Sequence, residues 1–195
     1  MKKLLFLLLP LFVLAQQLIL ALSWQKSFCK VHHIPECKYT KNIDYFTIHG
    51  LWVKKTNCYG KLHFRLPKPL WKTLKKYMPS TKLIHHEWKK HGTCYSKNAI
   101  TYFSDTLYLT QKVNNSKILD FFRNHQGKII TKQSLNKLIN KLYPHQARKV
   151  MLKCEKGYIT EIRFSLNGNV YDNFYKLLKN GKPFRGSCQK GKIAK

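Results

Sequence analysis

Apolar positions fall into two kinds of pattern along this chain. Leu18 to Trp24 and Tyr45 to Val53 are dense in aliphatic, β-branched and aromatic residues, which predicts strands. Val150 to Lys153 and Tyr158 to Leu166 read the same way, and Glu155-Lys156-Gly157 between them supplies a turn, so a hairpin is predicted. Elsewhere apolar residues recur at helical spacing, predicting helices over Pro69 to Tyr77, His86 to Cys94, Lys117 to Asn124 and Ser134 to Leu142. Strands and helices mix without regular alternation, the pattern of an α+β fold. No internal repeat, low-complexity stretch or linker divides the 195 residues, so they read as a single domain.

One apolar run does not belong to that domain. Lys2-Lys3 followed by Leu4 to Leu14 has the charged start and short apolar middle of an export signal, too short to span a bilayer. Val13-Leu14-Ala15 offers a small-residue cleavage site, so residues 1–15 are expected to be removed, leaving 16–195. Extending the run to Leu22 would make a membrane anchor, but Gln16-Gln17 interrupts it.

Export changes how the six cysteines are read, because disulfides persist in an oxidising compartment. Their spacing suggests Cys29–Cys37 as a local clip, with Cys58–Cys94 and Cys154–Cys188 closing long loops. In the chain-entropy view each long loop adds roughly 3 to 4 kcal/mol of stability. A zinc site is disfavoured, since no two cysteines form a C-x-x-C pair.

Charge is the outlying property: 37 Lys and Arg oppose 8 Asp and Glu, for a formal +29. Such a surface attracts polyanions, whether nucleic acid, anionic glycans or an anionic membrane, and it does not choose among them.

Two short segments narrow that choice. In Phe46-Thr47-Ile48-His49-Gly50-Leu51-Trp52, an apolar strand ends by placing an imidazole beside a large aromatic. In His86-Glu87-Trp88-Lys89-Lys90-His91-Gly92-Thr93-Cys94, a helical projection at about 100° per residue starting from His86 puts Lys90 near 40°, Glu87 near 100° and His91 near 140°. Two imidazoles, an ammonium and a carboxylate then share a face, while Trp88 and Gly92 turn to the core and His85 points away. Zinc-protease helices place histidines at i and i+4, whereas His86 and His91 are five apart with Lys90 between, so no metal is expected.

Together the two segments resemble the ribonuclease T2 family. Its H-G-L-W-P signature is matched from His49 with Val53 in place of proline, and its H-E-W-x-K-H-G-x-C signature is matched in full from His86 to Cys94. Leu18 to Trp24 followed by Cys29 is similar to the family's opening strand and W-P-x-x-x-C turn, which supports cleavage after Ala15. Three features depart from the pattern. Leu83-Ile84 replaces an aromatic pair, and the segment from Pro79 to His86 reads as a short loop, which together point to an altered base pocket. Ser165 stands where many members carry cysteine, which leaves three disulfides rather than four.

The resemblance implies a disulfide-stabilised α+β domain with a central antiparallel sheet and flanking helices. It also implies metal-free cleavage of single-stranded RNA, the 2′-hydroxyl attacking the phosphate to give a 2′,3′-cyclic product, with DNA inert. His91 is then the base and His49 the acid of the first step, Lys90 stabilises the phosphorane, Glu87 orients the group, His86 holds phosphate and Trp52 contacts a base. No cofactor is required. Among family members, a short, exported, very basic chain looks most like the plant self-incompatibility S-RNases. Asn114-Asn115-Ser116 is a glycosylation sequon with Asn114 as acceptor. Expected partners are RNA, an anionic cell surface and, for an S-RNase, F-box or other cytosolic recognition proteins, with the chain itself a monomer. A general defence or phosphate-scavenging ribonuclease, and a basic cytotoxic or binding protein with incidental catalysis, are the rival readings.

Overall fold

The computed structural model describes residues 16–58 and 60–195, so the expected export signal lies outside the described residues. The chain runs β1 (Gln17–Trp24), α1 (Gln25–Val31), α2 (Cys37–Thr40), β2 (Phe46–Val53), α3 (Lys68–Tyr77) and α4 (Thr81–Glu87). A π-helical turn (Trp88–Gly92) and α5 (Thr93–Tyr95) continue α4. The second half holds α6 (Ala99–Asn114), α7 (Lys117–Asn124), β3 (Ile129–Thr131), α8 (Lys132–Leu142), β4 (Val150–Glu155), β5 (Tyr158–Asn167), α9 (Phe174–Asn180) and β6 (Lys190–Lys192).

Strands β2, β1, β5 and β4 lie side by side and antiparallel, so the expected central antiparallel sheet is present. A small β6–β3 extension joins the Tyr158 end of β5, where β6 runs parallel to it. Side chains alternate across a strand. Leu18, Leu20, Leu22 and Trp24 of β1 and Ile162, Phe164 and Leu166 of β5 therefore enter one core, with Phe46, Ile48, Leu51 and Val53 of β2. Helical residues Leu74, Tyr102, Phe103, Phe122 and Leu135 complete it. The opposite face of the same strands carries Ala21, Ser23, Glu161, Arg163 and Ser165, and there the polar chemistry collects.

The 16-residue helix α6 was not predicted from the sequence. Its buried positions include Thr106, Thr110 and Asp105 among the apolar ones, which blurs the helical stripe. Those polar groups are satisfied locally. Thr106 and Thr110 hydroxyls each donate to the carbonyl four residues back, at 2.7 Å, and Asp105 accepts from Tyr95 at 2.5 Å and Tyr171 at 2.6 Å.

At the end of α6 the half-buried Asn114 uses both amide atoms on β2. Its Oδ1 accepts from Phe46 N and its Nδ2 donates to Phe46 O, each at 2.9 Å. These two bonds pin the outer edge of β2 to the end of α6. All three expected disulfides are formed, Cys29–Cys37, Cys58–Cys94 and Cys154–Cys188. Ser165 is buried and accepts from Gln17 Nε2 at 2.9 Å, a polar partner in place of a fourth bridge.

Candidate active site

His49 stands on an irregularity in β2. Ala21 pairs with Gly50 and the next residue, Leu22, pairs with Ile48, so His49 is the extra residue of a β-bulge. Bulges of this kind re-aim a side chain and change which residues face the core. Before the bulge Phe46 and Ile48 point inward, and after it Leu51 and Val53 do. The His49 imidazole is left one-third exposed on the polar face.

There it meets a residue that sequence reasoning missed. Glu161 of β5, 4% exposed, places Oε2 2.6 Å from His49 Nδ1. The two residues come from strands on either side of β1, about 10 Å apart. Their side chains meet because the β1 residues lying between them on that face, Ala21 and Ser23, are small. Arg163, two residues along β5, donates from Nε to the other Glu161 oxygen. Its guanidinium lies 4.6 Å from the centre of the Trp52 ring. Burial pushes the Glu161 carboxyl up, but hydrogen bonds and charge from His49 and Arg163 outweigh it, so the group sits below the usual carboxylate range.

The second histidine comes from the α4–α5 segment. The predicted helix begins earlier than expected, at Thr81, with Ser80 capping it through Leu83 N. The stretch read as a loop after Pro79 is therefore helical. Leu83 turns toward a cavity, and Ile84 is fully buried. Past Glu87 the helix widens into the π turn, so the uniform α-helical projection does not hold through Lys90 and His91. The four polar groups sort by depth: Glu87 and His91 are buried at 2% and 6% exposure, while His86 and Lys90 reach solvent. Trp88 and Gly92 are buried as expected, Trp88 donating from Nε1 to Lys61 O at 2.8 Å. His85 lies apart from the cluster, against Phe64.

Trp52 links the two sides. Its ring centre is 5.1 Å from that of His49, nearly edge-on, and 5.8 Å from that of His91, tilted by 31°. Its Nε1 donates to Glu87 Oε2 at 2.8 Å. With Arg163 also on the ring, Trp52 stands as a spacer between the two imidazoles. A side chain at Gly50 would need its neighbours to shift, since a Cβ there would overlap Glu87 Oε2 and stand 2.5 Å from Trp52 Nε1. The Cys58–Cys94 bridge ties the end of the α4–α5 segment to the chain just past β2, and Asn57 N donates to Lys90 O at 2.9 Å.

Environment then separates the titrating groups. Burial, with the Lys90, His86 and His49 charges behind it, pushes His91 down to about 4, so its ring is neutral at ordinary pH. Burial likewise pushes the Glu87 carboxyl up to about 7, against the opposing pull of His49, the Trp52 hydrogen bond and Lys90. His86 is lowered, by burial first and then by Lys90. One imidazole backed by an ionised carboxylate thus stands beside another kept neutral, with the Lys90 ammonium at the rim. That set can give a proton, take a proton and neutralise an anion.

Beside His49 opens a cavity of about 190 Å³. Phe28, Ile34 and Leu83 form apolar walls, and Thr47, Ser80 and Glu36 form its polar edge. Ser80 hydrogen-bonds the Glu36 carboxyl, which with its own backbone holds it below the usual range. An apolar slot with a few polar groups at its rim suits a flat heterocycle. Among the described residues, no group of three or more His, Cys, Asp or Glu is arranged to hold a metal ion.

Known proteins resemble this chain in sequence and fold. Ribonuclease T2 of Danio rerio is 32% identical over 117 residues, covering 53% of this chain and 47% of its own. Ribonuclease S-7 of Nicotiana alata is 29% identical over 205 residues, covering 91% of this chain and 86% of its own. Among solved structures, the self-incompatibility-associated SF11-RNase of Nicotiana alata superposes with a TM-score of 0.72 at 25% identity, covering 93% of this chain and all of that one. The chain spans about half the length of the first curated relatives it matches. The sequence model of the Ribonuclease T2 family matches residues 15–179, most of the length, and the chain belongs to that family.

Proposed function

We propose that the chain is a metal-independent endoribonuclease that cleaves single-stranded RNA by transphosphorylation. The observation that carries this reading is the pair of imidazoles flanking Trp52 in opposite environments. His91, neutral, takes the proton of the 2′-hydroxyl as that oxygen attacks phosphorus. His49 gives its Nε2 proton to the departing 5′-oxygen, leaving a 2′,3′-cyclic phosphate. In the second step the roles reverse: His49 takes a proton from water and His91 returns one to the 2′-oxygen. Lys90 and His86, exposed at the rim, hold the phosphate and meet the charge that builds on the phosphorane. Glu87 keeps Trp52 in place, and the cavity beside His49 takes a flanking base. DNA, lacking the 2′-hydroxyl, is not cleaved.

The test is direct. His49→Ala and His91→Ala should each abolish nearly all cleavage of a fluorescent oligoribonucleotide by folded protein, and mass spectrometry of the wild-type products should show the cyclic phosphate before the 3′-phosphate. Near-wild-type cleavage by either variant overturns the mechanism. Added EDTA should leave the rate unchanged.

The biological use we propose is that of an exported S-RNase, monomeric, held near anionic cell surfaces by its charge and read by F-box or other cytosolic proteins. The near full-length match to Ribonuclease S-7 and the SF11-RNase fold supports this reading. The match to an animal Ribonuclease T2 favours a second, a general defence or scavenging ribonuclease. Transcript confined to the pistil distinguishes the first from the second, and an effect that survives His49→Ala would instead favour a basic cytotoxic protein.

A further inference from the structure

An imidazole that donates a proton has two ring nitrogens, and the protein must settle which one faces the substrate. For His49 the settling contact is Glu161. Its carboxylate accepts from Nδ1 at 2.6 Å, so the remaining nitrogen, Nε2, is the one free to reach a substrate. A carboxylate buried to 4% exposure is costly unless its oxygens are paired. Both are: Oε2 by His49 and Oε1 by Arg163. Arg163 is itself fixed by lying over Trp52, so a continuous set of contacts runs from His49 through Glu161, Arg163 and Trp52 to Glu87. The bulge at His49 and the small residues of β1 beneath it serve this one meeting.

We propose that Glu161, clamped by Arg163, is a positioning residue for His49. It holds the Nδ1 proton so that Nε2 points at the leaving oxygen, and it is the countercharge of the protonated ring before transfer. During the step the Nε2 proton passes to the 5′-oxygen as the P–O bond breaks. The Nδ1 proton stays between ring and carboxylate, and Glu161 takes up no proton. A purely structural Glu161, present only to neutralise Arg163 in the sheet, would make no distinction between leaving groups. The inference rests on the RNA-cleavage reading above, with His49 as the acid.

Two substrates separate these cases: uridylyl-3′,5′-adenosine, whose alkoxide needs the acid, and uridine 3′-(4-nitrophenyl phosphate), whose phenolate does not. For Glu161→Gln the expected result is a drop of roughly 10- to 100-fold in kcat on the dinucleotide, with KM little moved. That is at or below the lower end of the span of about 10²- to 10⁴-fold that general-acid catalysis contributes, because the acid itself is kept. The ester should lose less than about threefold, because it bypasses that acid. Should Glu161→Gln fail to show a cooperative thermal transition, the double variant Glu161→Leu/Arg163→Leu, which leaves neither charge unpaired, is read in the same way. Equal losses on both substrates, or no loss on either, overturn the role of Glu161. Wild-type protein that cleaves neither substrate overturns the ribonuclease reading instead.

Discussion

The two histidines of the site are built by opposite means. His49 rides on a sheet strand, one-third exposed, with a buried carboxylate against its Nδ1. His91 sits on a π turn, 6% exposed, with Lys90 close enough to act on its charge. Among the described residues no carboxylate hydrogen-bonds either ring nitrogen of His91. A proton on His49 is met by a negative group, and a proton on His91 is opposed by burial and by cations. The difference gives the two rings of the motif distinct surroundings, a carboxylate against one and burial beside a cation for the other, which the motif alone does not show.

The sharpest way to break that comparison is to remove each ring in turn and vary the leaving group. His91→Ala should lower cleavage of both uridylyl-3′,5′-adenosine and the 4-nitrophenyl ester by about 10²- to 10⁴-fold, since attack by the 2′-oxygen limits both. His49→Ala should show that loss only on the dinucleotide. A reversed pattern would exchange the acid and base assignments.

A second test uses stability, read as variant minus wild type so that other groups cancel. The Glu87 carboxyl sits at about 7 in the fold against an ordinary 4.5. The folded state therefore binds the extra proton between those values, and Glu87 costs stability as pH rises through them, by about 3 kcal/mol in all. His91 runs the other way. Lowered from 6.5 to about 4, it costs stability as pH falls through that window. In the wild type the two slopes largely offset each other. Urea titration of Glu87→Gln should show the variant gaining on wild type from pH 4.5 to 7, and a constant difference would mean that Glu87 is not held protonated. Gly50→Ala is expected to cost about 1–3 kcal/mol, because its methyl group would drive Glu87 off Trp52. The dinucleotide rate should fall with it, and unchanged tryptophan fluorescence and activity would remove Gly50 from the design.

Much of this architecture was legible in the chain because the four strands of the main sheet and the helices α3, α7 and α8 obey simple periods, whereas β3, β6, α1, α2, α6 and α9 were not predicted. The predicted strands over residues 18–24, 45–53 and 158–166 lie within a residue of observed edges, and the helix Lys117–Asn124 has the predicted bounds. The candidate site was half legible. His49, Glu87, Lys90 and His91 stand in two compact segments, but their sorting by depth depends on a π turn that no local pattern announces. The bulge left a trace that sequence reasoning passed over: Phe46 and Ile48 are two apart, Ile48 and Leu51 three, Leu51 and Val53 two, so the apolar parity slips at His49. Glu161 left one as well, as one of only 8 acids in a chain of 37 cations, set in the middle of an apolar strand. Its partner is 112 residues away in sequence, and only the strand order brings the two together.

The smallest expected effect concerns the cause of His91's neutrality. Burial contributes most and Lys90 next, and only the second is removable without opening the core. In the wild type, kcat/KM on the dinucleotide should rise with pH through about 4, because the free enzyme is active only once His91 has lost its proton. Lys90→Met takes away a nearby positive charge, so protonated His91 becomes less unfavourable and the acid limb should move to higher pH, by roughly one unit or less for a charge at the solvent-exposed rim. The same substitution lowers the plateau by removing phosphate stabilisation, but a lower plateau does not shift a limb. If the limb stays at about pH 4 while the plateau falls, Lys90 acts on the substrate alone and burial accounts for the neutral ring. A limb that moves upward makes Lys90 the counterpart of Glu161: one residue sets the charge of the base, the other holds the acid in line.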